Sequence, residues 1–261
     1  MFQLLLFLAF ILVEILAVDR PGYIGAAGTG CKVWSASPEG PGRVTWSGAC
    51  VSGLADGPGV AEWLVDGNVI ARIEGRLRAG KADGFAIVTW REGDRYEGEW
   101  RDGLWHGQGL YLAADASVFE GEWRGSRRNG RGLQILPTGA RYEGEWRNDL
   151  RDGRGVYTWP SGARYDGEWR GGLQQGHGVH VYRNKARYEG EFHQGKRDGK
   201  GTLYFASGWY WGEWCNDRPE GRGTAVIDGI VHTGTWRHGC RQEHGGHAVW
   251  VATTKAACGF T

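Results

Sequence analysis

The chain has 261 residues, 47 of them glycine, with 15 Trp, 10 Tyr and 8 Phe but only 7 Pro and one Met, and 31 Lys+Arg stand against 30 Asp+Glu. Glycine at that level without a Gly-X-Y period excludes collagen, and so many rings exclude a disordered linker. The charge balance excludes a protein built chiefly to grip nucleic acid or an anionic membrane by bulk charge, which leaves a repetitive all-β chain.

The first element is apolar. Residues 2–18 read FQLLLFLAFILVEILAV, with Leu4 to Val13 uninterrupted and Glu14 following. That run is the length of a secretory apolar region and shorter than the roughly 20 residues of a spanning helix. Residues 1–27 are therefore expected to be a cleaved export signal or a membrane anchor formed by residues 2–18, with a short apolar helix at the N-terminus. The matching location is exported, periplasmic or extracellular. A cap carrying a degenerate first repeat is expected over residues 28–63, tandem repeats over 64–250, and a closing tail over 251–261.

The repeat is read by aligning Arg95-Tyr-Glu-Gly-Glu-Trp100 with Arg141-Tyr-Glu-Gly-Glu-Trp146, Arg164-Tyr-Asp-Gly-Glu-Trp169 and Arg187-Tyr-Glu-Gly-Glu-Phe192. The central glycines fall at 75, 98, 121, 144, 167, 190, 212 and 234. Seven residues after each Trp comes a Gly-x-Gly pair such as Gly153-Arg-Gly155. Strand alternation puts Tyr96, Gly98 and Trp100, Tyr142, Gly144 and Trp146, and Tyr165, Gly167 and Trp169 on one face, with Arg and Glu on the other. Arg147 to Asp152 turn the chain, and the third residue after each Trp (Gly80, Gly103, Ser126, Asp149 and their successors) suits a positive φ. The returning strand is expected to put Gly153, Gly155, Tyr157 and Trp159 on that same aromatic face. An aromatic on one strand can cover a glycine on the next, and one hairpin cannot keep such a face dry alone, so neighbours must stack. The expected fold is an elongated, twisted, single-layer antiparallel sheet of tandem hairpins.

Tyr-x-Gly-x-Trp, a turn, then Gly-x-Gly with an aromatic resembles the MORN repeat. The resemblance implies such a sheet and no reaction; in that family the repeats act as scaffolds, dimerisation elements and membrane- or lipid-associating modules. The Cys31-x-Val-Trp opening, Thr45-Trp-Ser-Gly-Ala-Cys50 and Cys258-Gly-Phe look like exported bacterial members. Leu77 in place of the Trp, Ala86 in place of a glycine and Val118 in the Arg column depart from the pattern.

Candidate chemistry follows the columns. The acid pairs Glu97/Glu99, Glu143/Glu145, Asp166/Glu168 and Glu189/Glu191 recur at each repeat beside Arg, where a glycosidase needs one distinctive pair; they read as solvated cross-strand partners of Arg. The Arg columns (Arg95, Arg141, Arg164 and Arg187 before the Tyr; Arg101, Arg124, Arg147 and Arg170 after the Trp) could meet phosphate headgroups or an acidic polymer, or could simply pair with the Glu rows. Leu110, Leu133, Val156 and Val179 form an apolar line on the polar face that could seat a partner or reflect β-propensity alone. Cys31 with Cys50 and Cys240 with Cys258 bracket the two ends and are expected to bridge, leaving Cys215 over. Cys240, His244 and His247, with His238, have spacing compatible with zinc, but a bridge to Cys258 would consume the thiolate, so no metal and no cofactor is expected. His180 replaces an inward aromatic and is expected to be packed. The function expected is a non-enzymatic binding scaffold in the bacterial envelope. Its partner is an unidentified protein, polymer or lipid surface, with no nucleic acid. Anionic membrane contact, homo-oligomers through open sheet edges, and glycan binding or glycan-directed activity stand as alternatives.

Overall fold

A computed structural model describes residues 22–35, 42–242, 248–254 and 258. The apolar segment 2–18 and its expected helix, and His244 and His247, lie outside the described residues. Every named element is a β-strand, from Gly22–Gly25 to Ala248–Trp250. The chain forms two compact units, one reaching to Asp115 and including Trp123–Ser126, the other made of Ala116–Glu122 and Arg127 onward.

The strands Arg141–Arg147 and Leu150–Thr158 of the second unit show how each hairpin is built. Tyr142 and Trp146 are buried while Arg141, Glu143, Glu145 and Arg147 are exposed, as alternation requires. Tyr142 lies across two glycines that face each other in register, Gly144 and Gly155. A Cβ at Gly155 would come 2.5 Å from the Tyr142 ring. The hydroxyl of Tyr142 donates to the Glu145 carbonyl at 3.0 Å. The indole N–H of Trp146 donates to the Gly132 carbonyl of the preceding hairpin at 3.2 Å, and Trp169 repeats this on Gly155 at 3.0 Å. Each ring therefore covers bare backbone and satisfies its own polar atom.

Two expectations are corrected. The turn spans only Asn148 and Asp149, not the six residues Arg147 to Asp152, because both central residues take positive φ (48° and 69°). Consecutive positive φ gives the two-residue hairpin turn whose twist matches that of the strands. The corresponding residue pairs repeat this, among them Asp102 and Gly103, and Gln194 and Gly195. The third-after-Trp amide also stitches hairpins together: Asp149 N–H donates to Arg128 O and Gly172 N–H to Arg151 O.

Gly153 does not share the aromatic face with Gly155. Between the Gly144–Gly155 and Trp146–Arg151 pairs the register shifts, leaving Glu145 opposite Asp152, Gly153 and Arg154. Gly153 sits in this bulge at φ +109°, and a Cβ there would meet the Glu145 carboxylate at 2.6 Å. The vacant space lets that carboxylate fold over the bulge and accept the Arg154 N–H at 3.1 Å. The bulge re-aims Gly153, while Arg151, four residues before Gly155, keeps the inward face over the Tyr142 and Trp169 rings.

In the first unit a cap precedes the hairpins. Gly22–Gly25 pairs with Lys32–Ser35, and Trp34 N–H donates to the Gly80 carbonyl. In the degenerate first copy, Trp46 lies over Gly48 and Gly59.

Candidate functional site

The inward position between the turn and the bulge decides whether the aromatic face is closed. In register with the Trp column of the second unit it holds Arg151, Gln174, Arg197 and Pro219. The Arg151 guanidinium lies 4.5 Å from the Tyr157 ring centre, Arg128 4.3 Å from Trp146, and Arg197 4.4 Å from Trp214. Arg128 and Arg197 are each anchored at 3.2 Å by the turn aspartate of the next hairpin, Asp149 and Asp217. These cations lie over the ring faces and shield them from water. Trp146, Trp169, Trp214 and Trp236 are all buried. None of these three arginines stands in the two columns singled out from the sequence, because Arg151 and its counterparts fall in the segment read there as turn.

In the first unit the same position is Ala82 in one hairpin, opposite Leu77 where the next repeat carries Trp100, and Trp105 in the next hairpin, opposite Trp100. A Leu and an Ala thereby stand where bulkier side chains sit in the next hairpin, and the face opens into a groove of about 690 Å³. Its walls carry Trp34 from the cap and Trp63, Trp90, Trp100 and Trp105 from the sheet. Trp105 stacks on Tyr96 at 4.2 Å and meets Trp90 edge-on at 6.2 Å. The Trp63 Nε1 atom is buried with no hydrogen-bond partner, whereas Trp100 donates to the Ala86 carbonyl at 3.1 Å.

On the outer face the leading arginines pair within their own strand, not across strands as expected. Arg95 meets Glu97, Arg141 meets Glu143 and Arg187 meets Glu189, each at 2.6 Å, and Arg164 meets Asp166 at 2.7 Å. Residues two apart project side by side, and the second acid of each pair is already drawn to the bulge. Of the trailing column Arg147 pairs with Asp152 at 2.9 Å, while Arg101, Arg124 and Arg170 are exposed and form no ion pair among the described residues. Leu110, Leu133, Val156 and Val179 are half-buried; Val156 lies between Glu143 and Asp166 in register.

Cys31 bridges Cys50 and Cys240 bridges Cys258, each with Cα atoms 5.7 Å apart, and Cys215 is free and exposed. No cluster able to hold a metal occurs among the described residues. No helix among them is long and apolar enough to cross a membrane. His180 stacks between Trp159 at 5.0 Å and Tyr182 at 4.2 Å. Burial, and then the charge of Arg197, push its pKa down to about 4. Burial likewise raises Tyr142, Tyr165, Tyr188 and Tyr210, which stay neutral as hydrogen-bond donors.

A chain of Trp-and-Tyr hairpins laid over paired glycines belongs to the repeat-protein class. The MORN repeat model matches residues 74–95, 96–118, 119–141, 142–164, 165–187, 188–210 and 210–226, more than half the chain. The chain belongs to the MORN repeat family. No curated protein matches it. Among solved structures it is similar to the SAS-4 (dCPAP) TCP domain of Drosophila melanogaster, solved in complex with a proline-rich motif: identity is 12%, 60% of this chain and 86% of that chain are covered, and the TM-score is 0.37. The wild-type TCP10 domain of Danio rerio CPAP is 14% identical over 63% of this chain and 89% of that chain, with a TM-score of 0.27. Neither likeness extends to function.

Proposed function

We propose that this MORN-repeat chain is a non-enzymatic, exported binding scaffold that holds a protein partner, and that the tryptophan groove of its first unit receives an extended, apolar segment of that partner. The observation that carries the reading is the groove itself, opened where Leu77 and Ala82 stand in place of the bulkier side chains of the next hairpin. Its apolar walls supply burial. Export is supported by the apolar residues 2–18 and by two disulfides, which suit an oxidising compartment.

The test places a photo-crosslinker at Leu104, which lines the groove, and recovers partners from envelope fractions. The variant Ala82→Arg installs the side chain that closes the second unit. The adduct formed by wild type should disappear in the Ala82→Arg background while the melting curve is retained. The same adduct at the same yield in both removes the groove from consideration.

A second reading, association with an anionic lipid surface, is favoured by one observation: Arg101 and Arg124 of the first unit are exposed and without ion pairs among the described residues. It predicts salt-sensitive flotation with phosphatidylserine vesicles, lost in the Arg101→Glu/Arg124→Glu double variant. No flotation of the wild type at low ionic strength sinks it.

A further inference from the structure

We infer that the outer face of the strands Lys196–Phe205, Gly208–Cys215, Arg218–Ile227 and Ile230–Trp236 is a binding site for an acidic carbohydrate, with Trp211 as the platform for a sugar ring. The site lies in the second unit and stands independently of the tryptophan groove.

The starting point is a break in the repeat. Where other strands carry an Arg and an acid two residues apart, as Arg187 and Glu189, this one carries Trp209 and Trp211. An ion pair is thereby exchanged for two indoles on the wet face. Trp211 is 55% exposed, so packing does not account for it.

The register shows what surrounds it. Trp211 is flanked by Thr202 and Thr224, and Thr224 faces Thr233, so one row across four strands reads Thr-Trp-Thr-Thr. The hydroxyls of Thr224 and Thr233 lie 3.0 Å apart. One row further along stand Lys200 and Arg222, whose side chains form no ion pair among the described residues. The acid between them, Glu213, accepts the Arg222 backbone N–H at 3.2 Å, as the bulge acids of other repeats do. The floor includes the backbone of Gly212, Gly223 and Gly234, which stand side by side between the two rows. These residues enclose a shallow cavity of about 390 Å³.

The three surfaces match three parts of one ligand. A pyranose ring has a face of C–H bonds that lies flat on an indole, and its hydroxyls pair with threonine hydroxyls. A carboxylate on the sugar meets Lys200 and Arg222. A plain polyanion needs only the cations and a neutral sugar only the indole and hydroxyls; their adjacency selects an acidic sugar.

The experiment is calorimetric titration of the full chain with short oligogalacturonate, with an uncharged gluco-oligosaccharide of the same length, and with oligoglutamate. Oligogalacturonate should bind, and each control should bind at least about ten-fold more weakly. Trp211→Glu restores the acid that other repeats carry and so keeps the fold; it should weaken binding by about ten-fold or more, and Lys200→Gln should weaken it too. A melting curve for each variant separates loss of the site from loss of the fold. No heat with oligogalacturonate at millimolar concentration, equal binding of either control, or unaltered binding by Trp211→Glu would each overturn the inference.

Discussion

Gly155 and Gly153 stand two apart in one strand and are required for different reasons. At Gly155 the Tyr142 ring occupies the space of a side chain; at Gly153 the backbone is at φ +109° and the Glu145 carboxylate occupies it. Gly155→Ala should therefore destabilise by about 2–3 kcal/mol, the cost of overfilling a packed site. Gly153→Ala should cost a similar amount, and Glu145→Ala in the same chain should restore part of it, leaving the φ strain. Urea unfolding midpoints of the three variants check this; full additivity of Gly153→Ala and Glu145→Ala would contradict the bulge assignment. His180 gives a pH dependence. Its folded pKa, about 4, lies below its ordinary value of 6.5, so the unfolded chain binds the proton first. Stability from this residue is intact above pH 6.5 and declines as the pH falls toward 4. The melting temperature of wild type should drop over that window relative to His180→Phe; parallel curves would show that His180 is not held neutral.

Each hairpin depends on a turn in which two successive residues sit at positive φ. Gln194 and Gly195 show this cleanly, at 50° and 83°, with open space beside Gly195. Gly195→Val introduces no clash there, so its expected cost of about 1–2 kcal/mol comes from the left-handed backbone alone. Gln194→Gly should be neutral or slightly stabilising, and thermal denaturation of both separates conformational strain from lost contacts. The alternating faces of the Tyr-x-Gly-x-Trp strands, the positive φ third after each Trp and the packing of His180 were legible in the sequence, because alternation and glycine placement are local rules. The bulge was not. Gly-x-Gly reads as two equivalent inward glycines until the register is known, and the tight turn is hidden because Leu150, Arg151 and Asp152 carry no strand signature. For the same reason Arg128, Arg151 and Arg197, the residues that close the aromatic face, were missed. The one available signal was their recurrence two residues before the first glycine.

For the whole chain, the repeats share one rule and the ends need extra fastening, since a terminal hairpin lacks one neighbour. Alkylation of unreduced protein should label Cys215 alone, and reduction should expose Cys31, Cys50, Cys240 and Cys258 as well. Each bridge closes a loop of 18 or 19 residues, worth about 3 kcal/mol on chain-entropy grounds, so reductant should lower the unfolding midpoint. Labelling of all five thiols without reductant would end that account. Periodicity alone was enough to assign the family, the hairpin, the buried Tyr and Trp columns and the paired cysteines, because each depends on spacing along the chain. Which columns are neutralised, which inward positions are filled, and where the aromatic face opens depend on cross-strand register. A bulge that sets three residues opposite one re-aims the side chains within it, and the groove beside Ala82 and the platform around Trp211 come into view once partner strands are laid side by side.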